Sequence, residues 1–180
     1  MKSDALLNEL LELTTKNLNA AQEFRNLSTE KLSYKSNKET WSILECIEHL
    51  NCYGTYYIPA IKSKMQASNH NKTNIFKTGL LGNYFAKSMQ PKEKLNTMKT
   101  IKSTNPIYWK TDVKVLDKFI FQQEQLIDLL NQAKHKNLNK IKIPNSILKL
   151  VKLNLGDTFR IVIYHNQRHV IQAKNVLKTL

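Results

Sequence analysis

Apolar residues recur at steps of three and four along four long segments of this 180-residue chain, and this recurrence restricts the fold more than any other feature. Such spacing places apolar side chains on one face of a helix. The chain has only four glycines and four prolines, too few for the many tight turns of a sandwich or barrel. We therefore expect an all-α protein, a four-helix bundle that forms one domain over residues 1–180.

The predicted helices have recognisable starts and ends. The first runs from about Ser3 to Leu27. The second begins at Ser42, because Ser42 and Glu45 have the spacing of a capping box, in which the two side chains satisfy free amides of the first turn. Pro59 lies inside this helix and is expected to kink it. The other expected helices are a short one between Ile75 and Met89, a long one from Asp112 to Lys134, and a long one from Asn154 towards the C-terminus.

The connections between the long helices differ in length. A polar stretch covers residues 28–40, and a lysine-rich loop is expected from Pro91 to Pro106. Together with the short helix, this loop makes a long irregular connection between the second and third long helices. The segment Ile141–Pro144 alternates in the manner of a short extended piece, and Pro144 disfavours a central strand.

The charge of the chain does not by itself indicate nucleic-acid binding. The formal net charge is +14, but the positive residues are nearly all lysines scattered along the whole sequence. Readers of DNA bases use arginine, and single-strand binders interleave aromatic residues with charge. A solvated basic surface is the simpler interpretation. Glycine-rich phosphate loops and nucleophile elbows are also missing from the sequence.

The N-terminus and the cysteines favour the cytoplasm. Acidic residues interrupt the first ten residues, and no apolar run approaches the roughly 18 residues of a membrane span. The two cysteines, Cys46 and Cys52, would lie about 9 Å apart in rise on one helix. This separation exceeds the roughly 7 Å limit for a disulfide, so we expect both thiols to be reduced.

Three histidines form the strongest candidate site. His165 and His169 have the i, i+4 spacing that brings two imidazoles to one metal ion from a single helix face. His49 lies near the buried stripe of another long helix, and bundles build metal sites from facing helices. Each could instead be a core or surface histidine that binds no metal. His70 and His135 lie in polar stretches near helix ends, and we expect them to be solvated.

Two short motifs resemble those of the DinB-like family. Trp41–Glu45 followed by His49 and Leu50 is similar to the first family motif. His165–His169 followed by Gln172 is similar to the second. Two further stretches are similar to the family, so that the resemblance covers almost the whole chain: Leu153–Asp157, and the run from Asn105 and Pro106 into the third long helix.

The resemblance implies a fold, a metal site and a range of activities. The implied fold is an up-down-down-up four-helix bundle, often dimeric, with His49, His165 and His169 as metal ligands. Zinc or nickel suits three imidazoles, and one open position remains for water, a thiol or a small-molecule substrate. Some members are similar to thiol S-transferases, in which a low-molecular-weight thiol attacks an electrophile, and others are described as metal-dependent hydrolases. The alternative is a non-catalytic dimeric stress protein that binds a metal or another ligand.

Three further residues are candidates for supporting the ligands. Glu45 lies four residues before His49 and could bond its free nitrogen, although the capping box could equally occupy this carboxylate. Gln172 lies three residues after His169 and could orient that ring. Arg168 matches the family motif, and either a structural ion pair or a substrate contact would explain it.

Other residues near the motifs have a structural and a functional interpretation. Cys46 and Cys52 each lie three residues from His49, and a thiolate is a strong zinc ligand. Small cysteines in a helix are more often core residues, which we prefer here. Trp41 is expected to anchor the packing of the helices. Alternatively, it could border the metal pocket. Tyr53 is likewise expected to pack, unless it faces the pocket and donates a proton.

Overall fold

The chain folds as a helical bundle with one short β-ribbon. A computed structural model describes residues 1–91, 100–148 and 150–180. Among these residues no helix combines the length and the hydropathy that a bilayer crossing needs. The elements found there are, in chain order, α1 (Ser3–Phe24), α2 (Thr29–Ser33), α3 (Ile43–Gln66), α4 (Leu80–Met89), a short 3-10 helix (Lys102–Thr104), α5 (Lys114–Ala133), β1 (Lys142–Pro144), β2 (Lys152–Asn154) and α6 (Leu155–Leu177).

The four long helices α1, α3, α5 and α6 form the bundle. Helices α1 and α3 each pack against both α5 and α6. Two contacts show that α1 and α6 run in the same direction. In their first halves the Tyr164 hydroxyl donates to Glu9 at 2.9 Å, and near their ends Lys174 lies 3.4 Å from Glu23.

Helix α3 runs against α6. His49, early in α3, lies beside His169, late in α6, whereas Tyr57 further along α3 lines a cavity with Val162, earlier in α6. Helices α3 and α5 are parallel, because hydrogen bonds join their residues in the same order, Asn51 to Val115 and Thr55 to Gln122. The up-down-down-up bundle is therefore confirmed.

In the described part of the chain the core has two apolar clusters with a polar layer between them. One cluster contains the early part of α1 and α6 and the late part of α3 and α5, and the other contains the opposite ends. The layer at the middle contains buried polar side chains from all four long helices, Thr14, Asn17, Asn51, Gln122, Gln123 and Asn166. Asn166 donates to Gln123 at 3.2 Å across the α5–α6 contact. This middle level is also where His165 lies on α6.

Local capping fixes the starts of the two helices that carry the histidines. The Ser42 hydroxyl accepts from the Glu45 amide at 3.2 Å, and the Glu45 carboxylate accepts from the Ser42 amide at 2.8 Å, so the predicted capping box is confirmed. At the start of α6 the Asn154 side chain accepts from the Asp157 amide at 2.8 Å, also as predicted. Both caps satisfy amides that would otherwise be buried without a partner.

Two parts of the connections differ from the prediction, the polar stretch after α1 and the start of α4, whereas the extended piece agrees with it. The polar stretch after α1 contains the short helix α2, which Ser28 caps. Helix α4 begins at Leu80 and not near Ile75, because Ile75 pairs with Lys2 in an antiparallel bridge. The predicted extended piece is β1, which pairs antiparallel with β2. The expected loop from Pro91 to Pro106 lies partly outside the described residues.

Candidate metal centre

The three histidines proposed as ligands lie together in the bundle. His49 on α3 faces His165 and His169, which are one turn apart on α6. The ring centroids are separated by 5.0 Å for His49 and His165, 4.6 Å for His49 and His169, and 4.7 Å for the α6 pair. One ring nitrogen from each histidine lies within 4.8 Å of the others. We refer to these residues as the triad, and they could hold one metal ion.

Hydrogen bonds orient two of the three rings. His49 Nδ1 lies 2.7 Å from the carbonyl oxygen of Thr104, and His169 Nδ1 lies 2.8 Å from Oε1 of Gln172. Because these oxygens can only accept, each Nδ1 carries the proton and each Nε2 keeps its lone pair. Metal-ligating histidines have this arrangement, in which one ring nitrogen donates a hydrogen bond to the surrounding protein and the other binds the ion.

Burial keeps the triad neutral. His49 and His165 are only 3% and 8% exposed, and His169 is intermediate between buried and exposed. Burial lowers the pKa of His49 to about 4, against the opposing effect of its hydrogen bond to Thr104. Burial, followed by the charge of His49, lowers the pKa of His169 to about 3. Burial and the neighbouring histidines lower the pKa of His165 well below its ordinary value. All three imidazoles are therefore unprotonated near pH 7, as metal ligands must be.

The spacing of two Nε2 atoms fits a shared cation. The Nε2 atoms of His49 and His165 are 3.2 Å apart. His49 Nε2 holds a lone pair, so two arrangements make the contact between these nitrogens favourable. Either His165 Nε2 donates a hydrogen bond to His49 Nε2, or both nitrogens bind one ion. Zinc–imidazole bonds of about 2.0 Å at a tetrahedral angle place two ligand nitrogens about 3.3 Å apart. Nitrogen ligands alone suit zinc or nickel better than magnesium or calcium.

The three supporting candidates lie in different environments. Gln172 contacts the triad directly, through the hydrogen bond to His169 already described. Glu45 is engaged elsewhere: one carboxylate oxygen belongs to the capping box, and the other lies 2.9 Å from Lys35 Nζ. The partner of His49 Nδ1 is a carbonyl and not this carboxylate. Arg168 is 4% exposed and lines the cavity over the triad.

The remaining histidines and the cysteines lie apart from this group. His70 and His135 are exposed, as predicted. Both cysteines are free thiols, Cys46 fully buried and Cys52 half-buried. Burial raises the pKa of each thiol, which disfavours a thiolate. The metal-binding group found among the described residues contains neither cysteine.

A cavity of about 680 Å³ gives access to the triad, and this volume suits a small molecule. Trp41 and Tyr53 both line it and both contact triad rings. The Trp41 ring lies 4.9 Å from that of His49 and 5.6 Å from that of His169, and Tyr53 lies 4.6 Å from His165. Both aromatic rings therefore border the metal site, in addition to packing within the bundle. Polar side chains that line the same cavity include Thr40, Asn105, Gln172 and Asn175.

Sequence reasoning did not find the role of Thr104. Its carbonyl oxygen fixes the ring of His49, and its hydroxyl lies 3.5 Å from that of Tyr53. A backbone carbonyl leaves no trace in residue type, because every residue has one. Pro106 follows this segment in the sequence, but a proline at that position does not indicate a contact between Thr104 and His49.

Together the fold and the site define a helical-bundle protein with a buried three-histidine group that could hold a divalent metal. The sequence profile of the DinB superfamily matches residues 10–173, and the chain therefore belongs to that superfamily. No curated protein matches the chain, and no solved structure matches it.

Proposed function

We propose that this protein binds one zinc or nickel ion through His49, His165 and His169 and uses it to activate a nucleophile against a small electrophilic substrate. The observation that carries this proposal is the 3.2 Å separation of the His49 and His165 Nε2 atoms, together with the 2.7 Å contact of His49 Nδ1 with the Thr104 carbonyl oxygen. Three protein ligands leave a position open for another molecule, the pattern of catalytic zinc sites.

When bound, the ion lowers the pKa of a water or thiol at its open position. The protein residues have complementary tasks. Thr104 and Gln172 hold two ligand rings so that their lone pairs converge. Trp41 and Tyr53 flank the triad with aromatic rings and restrict water on those sides. Because the three imidazoles are neutral, they would leave the positive charge of a bound ion uncompensated, which would favour an anionic nucleophile.

We propose a hydrolase or a thiol-dependent S-transferase as the enzyme class. Both reactions need the same open position and differ only in whether water or a low-molecular-weight thiol occupies it. The cavity of about 680 Å³ has room for a small substrate beside either nucleophile.

The first experiment measures the metal content of the full chain, purified without a His-tag and then supplied with zinc or nickel. We expect about one ion per chain in the wild type, and its loss in His49→Ala, His165→Ala and His169→Ala. His135→Ala is the matched control, because His135 is exposed and lies outside the triad. A wild type that stays metal-free, or triad variants that bind as well as the control, would contradict the proposed site.

The second experiment separates the two reaction classes. The metal-loaded protein is tested on p-nitrophenyl acetate without a thiol, and on 1-chloro-2,4-dinitrobenzene with cysteine or glutathione. Turnover that needs a thiol and the triad supports the S-transferase, and thiol-independent turnover supports the hydrolase. A loaded protein that is inactive on broader panels of both kinds favours the non-catalytic metal-binding alternative.

We also propose a homodimer, the state that the family resemblance implies. Several large apolar side chains are exposed on the single chain, among them Leu80, Leu81 and Tyr84 of α4, and a dimer could cover them. Sedimentation equilibrium over a range of concentrations measures the molecular mass. A mass equal to that of one chain, 20.9 kDa, at all concentrations would contradict the dimer.

A further inference from the structure

A second, smaller cavity lies beside the triad and has no part in the proposed metal chemistry. Its volume is about 100 Å³. His165, Tyr53, Met89 and Ile147 line both this cavity and the larger one over the triad. The two spaces therefore adjoin at His165, which places the smaller cavity directly beside the triad.

Carbon atoms form most of the wall of the small cavity. Phe85 and Met89 come from α4, and Ile161 and Val162 come from α6. Val162 is 2% exposed, while Phe85, Met89 and Ile161 are half-buried. An apolar group that enters would bury additional surface against these side chains, which is favourable.

The polar groups of this wall are engaged with one another. The Tyr57 hydroxyl accepts from the Ser146 amide at 3.0 Å and lies 3.1 Å from the Ser146 hydroxyl. The Asn145 side-chain oxygen accepts from the amides of Ile147 and Leu148, each at 2.9 Å. These bonds hold the wall segment in place. A charged group inside would lose its hydration without gaining these partners.

We propose that this cavity is an apolar subsite, which receives a short alkyl group of a substrate whose polar, reactive end lies at the triad. This inference rests on the proposed metal site. An apolar cavity of about 150 Å³ accepts benzene, so the smaller space here suits about four carbon atoms. The subsite selects substrates by the length of an unbranched or singly branched chain.

The test uses acyl hydroxamates, which bind metal ions at one end and carry an alkyl chain at the other. Acetohydroxamate through octanohydroxamate are titrated into the zinc-loaded full chain by calorimetry. Each added methylene should tighten binding about four-fold until the subsite is full, because each buries apolar surface. The ¹³C-methyl NMR signals of Val162, which lines the smaller cavity and not the larger one, should move with the longer chains and stay in place with acetohydroxamate.

Ile161→Trp fills the cavity and should flatten the dependence on chain length while leaving the affinity for acetohydroxamate unchanged. Ile75→Trp is the matched control, since Ile75 is 48% exposed and does not line the cavity. If Ile161→Trp does not fold, Phe85→Ala replaces it, because Phe85 lines the smaller cavity and not the larger one. This variant enlarges the space, so the longest chain that still gains affinity should become longer.

The outcomes distinguish the subsite from the metal site. Equal affinities along the whole series in the wild type, with acetohydroxamate bound, would overturn the subsite and leave the metal site intact. Zinc loading that fails, with no hydroxamate bound, would overturn both. A gain with chain length that persists in Ile161→Trp would also overturn the subsite, because the chains would then bind elsewhere.

Discussion

At the scale of single residues, the two oriented histidines are held by different kinds of group. A backbone carbonyl holds His49 and a side-chain amide holds His169. Substitution can remove the amide but not the carbonyl. The contact between His169 and Gln172 is therefore the part of the ligand support that mutagenesis can test directly.

Gln172→Ala should weaken zinc binding about ten-fold or more, because loss of an outer hydrogen bond leaves the ligating ring free to rotate. Gln172→Glu should retain or increase the affinity, since a carboxylate accepts the same proton more strongly. Competition with a chromogenic zinc chelator measures both values.

Gln167→Ala is the control for Gln172→Ala, because Gln167 is the same residue type on the same helix and is absent from the lining of the triad cavity. Its zinc affinity should equal that of the wild type. If Gln172→Ala also binds as the wild type does, the hydrogen bond to His169 does not orient the ligand.

At the scale of the elements, the start of α3 determines where His49 lies. Ser42→Ala removes one half of a buried capping box and should lower the free energy of unfolding by about 1 kcal/mol. Ser28→Ala removes the cap of the short helix α2, where the residue is exposed and its bond is 3.4 Å long. Urea denaturation of both variants should give the smaller loss for Ser28→Ala, and equal losses would contradict this account of the α3 start.

The contact between α4 and α6 depends on a glycine. A Cβ atom at Gly82 would overlap the carboxylate of Asp157, which already accepts from Thr78 at 2.5 Å and from the Gly79 amide at 2.8 Å. A Cβ atom at Gly79 would meet this carboxylate at 3.6 Å, an ordinary contact. Arg160 adds an ion pair to Asp157 at 2.9 Å.

Gly82→Ala should lower the free energy of unfolding by about 1–3 kcal/mol, although alanine is the better helix former, because the carboxylate must move away from its partners. Gly79→Ala serves as its control and should change the stability little. Thermal unfolding followed by circular dichroism measures both. A Gly82→Ala protein that is more stable than the wild type would show that the Asp157 contacts adjust without cost.

The elements that could be predicted are those whose signals are local. The capping box of α3, the Asn154 cap and the spacing of His165 and His169 all lie within a few adjacent residues. The short helix α2 and strand β2 were not predicted, because so few residues give no periodicity. The start of α4 was placed too early because the bridge from Ile75 to Lys2 joins residues far apart in sequence.

At the scale of the whole molecule, the sequence alone could not order the helices. The spacing of His165 and His169 predicted a pair, but His49 joins them because α3 runs against α6. That direction follows from packing along the full length of both helices. The antiparallel direction of α3 and α6 was predicted only from the family resemblance. Tertiary contacts, such as that of Tyr57 beside Val162, support this direction independently.

The buried neutral triad gives the whole fold a defined response to acid. Well above pH 6.5 the histidines are neutral in both the folded and the unfolded chain, so they contribute no pH dependence there. Below that pH the unfolded chain binds protons. The folded chain does not until the pH approaches the lowered pKa values, about 4 for His49 and about 3 for His169. The unfolded state then binds more protons, and stability falls as the pH falls.

Between pH 7 and pH 5 the metal-free protein should therefore lose about 2 kcal/mol of unfolding free energy for each such histidine. Urea denaturation at several pH values measures the slope. His165→Asn should make the slope shallower whatever its effect on stability at pH 7, and His135→Asn should leave it unchanged.

Saturating zinc should add a nearly constant increment to the free energy of unfolding across this pH range, because protons do not compete for the folded ligands there. A metal-free protein with no loss above pH 5, or a zinc increment that disappears between pH 7 and pH 5, would mean that the folded triad is protonated at ordinary pH.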